Sequence, residues 1–363
     1  MNLIGNGERL RVLGNKGAKM KVLVTGGAGF IGSHVVEHAL RAGHTVAVLD
    51  DLSTGKRANV PASVPLYQTD LRDREGVARV LEEVRPQAVS HHAAQSSVAV
   101  SMREPLLDAT VNIIGGINLL DACVATGVER LVFASTGGAM YGHVQDGKRA
   151  PEETRPAPIS PYAINKLAFE QTLGVYRSQC GLQSTILRYS NVYGPRQDPH
   201  GEAGVVAIFS DLILRSQPLR INARKQPGDA GCVRDYVFVT DVARANLAAL
   251  EGRLQERLIN VATGQPTSTR DLATRLMLLA RPKVCHDFTA GPPRPGDVEY
   301  TVLDNTRFKL AFGSPVPLDD GLQLTYEWFA RAAEIPQPKQ PDGAALVERA
   351  SSSMYRGAGE PPS

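Results

Sequence analysis

The stretch Lys21–Gly32, with the sequence KVLVTGGAGFIG, decides the fold. Its first five residues have the apolar, β-branched composition of a buried strand, and the residues that follow Gly32 open a helix. Between them, Gly26 allows a tight turn, Gly29 lets an anion approach the backbone N–H groups at the helix N-terminus, and Gly32 lets the helix pack closely on the strand. This GxxGxxG spacing between a strand and a helix predicts a site for the pyrophosphate of a dinucleotide.

Carboxylates follow the next two predicted strands. Asp50 ends the second strand, 18 residues beyond Gly32. A carboxylate there accepts hydrogen bonds from the adenosine ribose hydroxyls and repels a 2′-phosphate, so NAD is favoured over NADP. Asp51 either shares this role or is simply solvated. Asp70, after the third strand, either bonds the adenine amino group or is a solvated loop residue.

Strand and helix patterns alternate as far as residue 188. The strands are predicted near 21–25, 45–49, 87–91, 130–134 and 184–188, and the helices near 30–42, 74–84, 107–126 and 161–180. Such alternation predicts an α/β fold, a Rossmann-type doubly wound parallel sheet. The shorter elements that follow are a helix near 204–216, a strand near 234–239 and a helix near 241–250. They indicate a smaller C-terminal substrate-binding lobe at the carboxyl ends of the strands.

The chain therefore divides into four predicted segments. Residues 1–19 are expected to be a disordered extension, and residues 20–188 the NAD-binding Rossmann domain. Residues 189–334 form the substrate-binding lobe, parts of which can return to the Rossmann sheet. Residues 335–363 are rich in Pro, Gly and Ser and are expected to be a disordered tail.

The composition is that of a soluble globular protein, with 363 residues of which 42% are hydrophobic and 21% charged. The net charge of +3 arises before Met20, so residues 20–334 are neutral and neither nucleic acid nor a membrane is an expected partner. No apolar run approaches membrane-spanning length, and no secretory signal is recognised. The cysteines lack paired spacing, so we expect reduced thiols, a cytoplasmic location and no metal site. They are Cys123, Cys180, Cys232 and Cys285.

A second motif, SPYAINK at Ser160–Lys166, contains a YxxxK pair. Ser160 suits a helix N-cap, which places Tyr162 and Lys166 one turn apart on one helix face. A nearby ammonium favours the phenolate, so we expect the pKa of Tyr162 to fall toward the working pH. Such a tyrosine can take a proton from an alcohol while hydride leaves its carbon. The hydroxyls of Ser135-Thr136, after the predicted strand at 130–134, either bond the substrate oxygen or cap the strand end.

These elements together resemble the extended short-chain dehydrogenase/reductase superfamily. Longer strings narrow the resemblance to the bacterial UDP-glucose 4-epimerase family: HHAA at 91–94, STGGAMYG at 135–142, RYSNVYGPRQ at 188–197, VRDYV at 233–237 and PPRPGD at 292–297. The resemblance implies NAD-dependent inversion of C4 of a UDP-hexose through a transient 4-keto sugar, with Tyr162 moving the hydroxyl proton. It also implies a homodimer, for which the helices near 107–126 and 161–180 are candidates, although core packing explains their apolar residues equally well.

The resemblance further implies roles for individual residues. Lys166 would bond the nicotinamide ribose, and Thr136, with Ser135 as second choice, would orient the 4-oxygen. The substrate contacts would be Asn191 on the sugar or diphosphate, Arg234 and Arg294 on the diphosphate, and Asp297 on a uridine ribose hydroxyl. Guanidinium groups suit phosphate, although a surface ion pair is the commoner role of a single arginine. The cofactor contacts would include Phe30, Ile31, Leu71, Ala93 and Ala94, beside Tyr162 and Lys166.

Two positions depart from the family pattern. Thr301 stands where some epimerases have a bulky tyrosine that limits the size of the sugar, so UDP-N-acetylglucosamine is an expected substrate. Ser96 stands where some relatives have a lysine that contacts the cofactor, so we expect an effect on NAD affinity rather than on the reaction.

Other activities of the same superfamily compete with this interpretation. A sugar-nucleotide 4,6-dehydratase needs an Asp-Glu pair after the catalytic threonine, and a UDP-glucuronate decarboxylase needs a glutamate there, whereas this chain has Gly137 and Gly138. A UDP-glucuronate 4-epimerase stays open, because its chemistry is nearly identical. A non-enzymatic NAD-binding protein is disfavoured, because Thr136, Tyr162 and Lys166 are all present.

Overall fold

The computed structural model describes residues 19–200, 204–280, 288–294 and 297–334. Within them, the body of the molecule is a seven-stranded parallel sheet covered by helices on both faces. The predicted disordered segments at residues 1–19 and 335–363 lie outside the described residues, apart from Lys19, and so does Cys285.

The strands fall into one large sheet and several small ones. In chain order they are β1 (Lys21–Thr25), β2 (Thr45–Asp50), β3 (Leu66–Gln68), β4 (Ala88–His91), β5 (Arg130–Thr136), β6 (Gln183–Tyr189), β7 (Asn191–Tyr193), β8 (Leu219–Asn222), β9 (Val233–Arg234), β10 (Tyr236–Phe238), β11 (Leu258–Val261), β12 (Thr267–Ser268), β13 (Phe288–Gly291) and β14 (Tyr300–Thr301). The large sheet has the order β3-β2-β1-β4-β5-β6-β11, and every neighbouring pair in it is parallel.

The helices cover both faces of this sheet and build the lobe. In chain order they are α1 (Phe30–Arg41), α2 (Arg74–Val84), α3 (Val98–Arg103), α4 (Pro105–Ala109), α5 (Gly116–Thr126), α6 (Pro161–Cys180), α7 (Val205–Leu214), α8 (Val239–Leu250), α9 (Thr269–Leu279), α10 (Thr306–Phe312) and α11 (Leu318–Glu334). A short 3₁₀ turn spans Arg57–Asn59, and a π-helical segment, Thr110–Gly115, joins α4 to α5.

Side chains of β1 alternate between two hydrophobic layers, because successive residues of a strand point to opposite faces. Val22 and Val24 pack into the layer formed with α1 and α8. Leu23 packs into the opposite layer, which contains Leu119 of α5 and Phe169 of α6. Both faces of the sheet are therefore buried, and the predicted Rossmann-type doubly wound fold is confirmed.

The chain returns to the sheet after it has entered the lobe. Strand β11 pairs with β6 at the sheet edge, and α8 packs on α1. The rest of the lobe consists of short ladders, β7 with β10, β8 with β13, and β9 between β12 and β14, packed on α7, α9 and α11. The single strand predicted near 234–239 is thus two strands, β9 and β10, separated by the buried Asp235.

The helical stretch Pro105–Thr126 is long and apolar enough, by length and composition alone, to cross a membrane. Such a helix is also typical of a soluble core, and 44% of its apolar window is buried. Asp108, Asn112 and Asn118 of this stretch are buried and hydrogen-bonded to neighbouring segments. These contacts are those of a core helix: Leu119, Leu120 and Cys123 of the same stretch are fully buried, whereas Leu106 and Ile114 face outward.

Candidate active site

The glycine loop between β1 and α1 forms a cradle that side chains would fill. Gly26 has φ +67°, in the left-handed region that favours glycine, and a Cβ there would overlap the backbone of Ala93. A Cβ on Gly32 would collide with the carbonyl oxygen of Gly26. Gly29 is the N-cap of α1, where a Cβ would meet only the Gly26 carbonyl oxygen, at 3.2 Å. The loop thus fits a pyrophosphate held by backbone N–H groups at a helix N-terminus.

Asp50 lies at the carboxyl end of β2, directly beside this cradle. It is buried, and its two carboxylate oxygens accept the backbone N–H groups of Ala28 and Leu52, each at 2.9 Å. Burial raises the pKa of this carboxyl, although the two backbone hydrogen bonds act in the opposite direction. Asp50 therefore fixes the cradle loop, and its position fits the predicted ribose contact.

The other predicted adenosine contacts are bound to local partners. Asp51 is exposed and accepts the backbone N–H and the hydroxyl of Ser53, which is an Asx turn. Asp70 forms an ion pair with Arg72, which holds the pKa of that carboxyl below its usual range.

The predicted apolar cofactor contacts lie in or next to the sheet. Leu71 is buried, and its carbonyl accepts the Asn118 side-chain amide. Ala93, followed by Ala94, is next to the cradle, where its N–H contacts the Thr25 hydroxyl at 3.3 Å.

Tyr162 and Lys166 lie one turn apart on α6, as the sequence predicts. The helix begins at Pro161, with the Ser160 hydroxyl accepting the Ala163 N–H. The Lys166 ammonium is buried and donates to the carbonyl of Ala134 on β5 at 3.1 Å. It lies 5.7 Å from the centre of the Tyr162 ring, so the pair is close without a direct hydrogen bond between them.

The sequence predicts a lowered pKa for Tyr162, and this prediction is wrong. Among the protein's own groups, the effects that raise the pKa of Tyr162 outweigh the one that lowers it. Burial raises the pKa of Tyr162, and the charge of Asp108 raises it further, while hydrogen bonding with Thr136 lowers it. Burial also lowers the pKa of Lys166 to about 8, against the opposing charges of Asp108 and Glu170. The physical reason is desolvation, which disfavours the charged form of each group.

The two hydroxyls at the end of β5 have different partners. Thr136 lines the cleft together with Tyr162, and its hydroxyl accepts the Ala139 N–H at 3.2 Å. Ser135 is buried, and its hydroxyl donates to the Glu170 carboxylate at 2.6 Å. Glu170 is itself paired with buried Arg188 of β6 at 2.6 Å. Both residues line the cleft, but the Ser135 hydroxyl is bonded to the Glu170–Arg188 ion pair, which leaves Thr136 as the hydroxyl better placed for chemistry.

A cleft of about 440 Å³ joins these parts. Phe30 and Ile31 line it from the glycine cradle, and Thr136 and Tyr162 line it from the Rossmann domain. The lobe contributes Asn191, Arg234, Asp297 and their neighbours, and Ser96 lines it from the loop after β4.

The structure does not bring every predicted substrate residue to this cleft. Arg294 is exposed and is not among the lining residues, and Pro295 and Gly296 beside it lie outside the described residues. Thr301 is buried in β14, its hydroxyl has no partner among the described groups, and it does not line the cleft.

Sequence reasoning missed three buried carboxylates around the cleft. Glu170 follows Lys166 by four residues on the same helix face, so its position was readable from the helical period. Asp235 accepts hydrogen bonds from Thr263 and Gly264, and its carbonyl accepts both the backbone and side-chain N–H of Asn191. Asp108, on α4, accepts the side-chain amides of Gln95 and Asn165. Asp235 lies within the VRDYV string at 233–237 that carries the resemblance, whereas no local pattern marks Asp108.

This fold and site define a dinucleotide-binding enzyme with a Tyr–Lys pair at the carboxyl ends of a parallel sheet. The model of the NAD dependent epimerase/dehydratase family matches residues 22–262, and the chain belongs to that family. NAD is therefore confirmed as its cofactor.

Proteins of known name agree with this assignment. The chain is 39% identical over 322 residues to the UDP-glucose 4-epimerase of Mycolicibacterium smegmatis, which covers 87% of this chain and 100% of that protein. The UDP-glucose 4-epimerase of Thermus thermophilus, solved in complex with NAD, superimposes with a TM-score of 0.82 at 54% identity, covering 85% of this chain and 99% of that one. The Thermotoga maritima UDP-glucose 4-epimerase, solved with UDP-glucose, gives 0.80 at 44% identity, covering 87% and 100%.

Proposed function

We propose that this protein is an NAD-dependent epimerase that inverts C4 of a UDP-hexose, interconverting UDP-glucose and UDP-galactose. One observation carries the proposal: a single cleft is lined by the glycine-cradle helix, by Thr136 and Tyr162, and by Arg234 of the lobe. Cofactor, proton-transfer and phosphate groups thus converge on one space, as a reaction at a nucleotide-linked sugar requires.

The chain's own groups have two roles, transfer of the hydroxyl proton and binding of the diphosphate. Bound NAD supplies the acceptor and donor of hydride. In its phenolate form Tyr162 takes the proton of the 4-hydroxyl and later returns it, and the Thr136 hydroxyl, which lines the cleft with Tyr162, orients the 4-oxygen. Arg234 holds the diphosphate, so the sugar can turn about its diphosphate link and present its other face while the nucleotide stays fixed.

The charges of the cleft favour a neutral hexose over a uronate. Arg234 is the one cation among the described residues that line it, and the diphosphate occupies that charge. No second cation among those lining residues is left to pair with a uronate carboxylate. A dehydratase is disfavoured because Gly137 and Gly138 supply neither acid nor base.

We extend the proposal to UDP-N-acetylglucosamine. The position that limits sugar size in some relatives is Thr301, which is small, buried in β14 and outside the cleft lining, so no bulky side chain enters the cleft from this position. Purified enzyme assayed on UDP-glucose and UDP-N-acetylglucosamine should turn over both. Turnover of UDP-glucose alone would restrict the proposal to unsubstituted hexoses.

The decisive experiment is a panel of UDP-sugars incubated with the purified protein, with products identified by chromatography. UDP-glucose and UDP-galactose should interconvert, and UDP-glucuronate should stay unchanged. The variant Tyr162→Phe should lose turnover by at least a factor of about a hundred, the scale of general acid–base catalysis, while it keeps bound NAD. An unchanged panel with wild-type protein would overturn the assignment.

We also propose that two copies associate through α4–α5 and α6. These adjoining helices expose large apolar residues: Leu106, Ile114, Ile164 and Val175, exposed by 79%, 52%, 51% and 57%. A second copy of the same face would bury them symmetrically. Light scattering should show a dimer that Ile164→Glu dissociates, whereas Leu278→Glu, at a more exposed apolar residue on α9, should leave it intact.

A cytoplasmic location is proposed on the state of the cysteines. The described ones, Cys123, Cys180 and Cys232, are free thiols, which persist in a reducing compartment. Cell fractionation tests this, and recovery with exported proteins would contradict it.

A further inference from the structure

Asp108 is a buried carboxylate held by two neutral amides. It lies on α4, which packs against α6, and it is fully buried. Its two oxygens accept the side-chain N–H groups of Gln95 and Asn165, at 2.5 and 2.7 Å. Neither of these hydrogen-bond partners carries a charge. A buried carboxylate is costly unless an opposite charge compensates it.

Lys166, which directly follows Asn165 on α6, is the complementary case. Its ammonium is buried, and its hydrogen-bond partner is a neutral carbonyl, that of Ala134. The ring of Phe133 lies 4.8 Å from the ammonium and contributes only a weak attraction. Lys166 therefore needs a negative charge nearby to stay protonated.

The other titratable groups that face Lys166 are neutral or paired. His91 and His92 face it from β4 and the loop that follows, and burial together with the Lys166 charge lowers the pKa of both, so both are uncharged. On α6, Tyr162 is a phenol, and Glu170 is bound in two places to Arg188. The anion whose hydrogen-bond partners are all neutral is Asp108, and its charge acts on Lys166 more strongly than that of Glu170.

We propose that Asp108 is the counter-ion of Lys166: a positioning residue that keeps the ammonium charged inside the buried site, with Gln95 and Asn165 fixing its carboxylate. It acts through Lys166 and does not touch the substrate. The inference deepens the proposed function, since it explains how a buried Tyr–Lys pair keeps its cation in the working pH range.

The variant Asp108→Asn isolates the charge from the hydrogen bonds. Gln95 is fixed by Ser97, because it also accepts the Ser97 N–H and donates to the Ser97 carbonyl, so the new amide keeps its oxygen toward Gln95. The Asn165 amide can rotate by half a turn and offer its oxygen to the new NH₂ group. With the charge gone, Lys166 should release its proton more readily. The alkaline limb of kcat against pH should move to lower pH by on the order of one unit. A merely structural defect would lower kcat by the same factor at every pH and leave the position of the alkaline limb unchanged.

A second readout needs no turnover. In enzyme with ¹³Cε-labelled lysine, the NMR signal that disappears in Lys166→Met should titrate near pH 8 in the wild type and lower in Asp108→Asn. Because no substrate is present, this titration decides the role of Asp108 even if the UDP-sugar panel were to fail.

The matched control is Asp241→Asn, which removes another buried carboxylate. Asp241 accepts the Val316 N–H and pairs with Arg244, away from the cleft lining, so neither the limb nor the Lys166 titration should move. If Asp108→Asn does not fold, Asp108→Ser, which removes the same charge with a smaller side chain, should move both measurements in the same direction. If neither the alkaline limb of kcat nor the Lys166 titration moves in the variant that folds, the proposal is overturned.

Discussion

The cofactor side and the substrate side of the cleft are built by different means. On the cofactor side, Gly26, Gly29 and Gly32 lie within seven residues of sequence, and continuous parallel ladders support their loop. On the substrate side, Asn191, Arg234 and Asp297 come from distant parts of the chain. Asn191 lies on β7 and Arg234 on β9, whereas Asp297 precedes β14. The buried Asp235 ties these segments together, with its carbonyl accepting from Asn191 and its carboxylate from Thr263. A local motif thus builds one half, and long-range hydrogen bonds build the other.

The largest expected effect falls where the two halves meet, at the end of β5. Thr136→Val removes the hydroxyl that lines the cleft with Tyr162 and should lower kcat by roughly 10²–10³, as loss of one oriented donor does elsewhere. Ser135→Ala is the matched control. It should mainly cost about 1–3 kcal/mol of unfolding free energy, because Glu170 loses a buried donor. If Ser135→Ala lowers kcat as much as Thr136→Val, Ser135 rather than Thr136 orients the substrate oxygen.

Adding one methyl group should disrupt the cofactor side of the cleft alone. Gly32→Ala places a Cβ against the Gly26 carbonyl and should weaken NAD binding by roughly a hundredfold, measured as NAD retained per chain. The affinity for UDP, measured by calorimetry, should stay near that of the wild type. Gly174→Ala, on α6 with open space around it, should change neither. Loss of both affinities in Gly32→Ala would show that the halves are not independent.

Removing one carboxylate should disrupt the substrate side of the cleft alone. Asp235→Asn leaves N–H donors of Thr263 and Gly264 without full partners in a buried position. The free energy of unfolding should fall by about 2–3 kcal/mol. The Kd for UDP should rise by roughly tenfold, because a difference of about 1.4 kcal/mol is tenfold in affinity. NAD content should be unchanged, and a parallel loss of NAD would show that the cofactor side and the substrate side of the cleft are coupled.

The smallest effect separates the two aspartates after β2. Asp51→Asn alters an exposed Asx turn and should change NAD affinity by less than about twofold. Asp50→Asn removes the carboxylate that fixes the backbone of Ala28 and should weaken NAD binding clearly more. Equal losses in the two variants would give Asp51 a share in the ribose contact.

Sequence reasoning succeeded where function depends on a local pattern. The strand–glycine–helix unit, the YxxxK pair and the α/β alternation all depend on neighbours within about one turn or one strand, so their placement in the fold could be predicted. The family and its cofactor were confirmed as well. The pKa of Tyr162 was predicted in the wrong direction, because spacing shows the nearby ammonium and does not show burial.

The sequence by itself determined the parallel sheet, the dinucleotide cradle and the Tyr–Lys pair, since backbone conformation and helical period are properties of short segments. Only the tertiary structure decided which hydroxyl faces Tyr162, that Arg294 and Thr301 lie outside the cleft lining, and that Asp108, Glu170 and Asp235 surround the site. Those outcomes depend on desolvation and on hydrogen bonds between residues far apart in the chain. Both arise only when the elements pack.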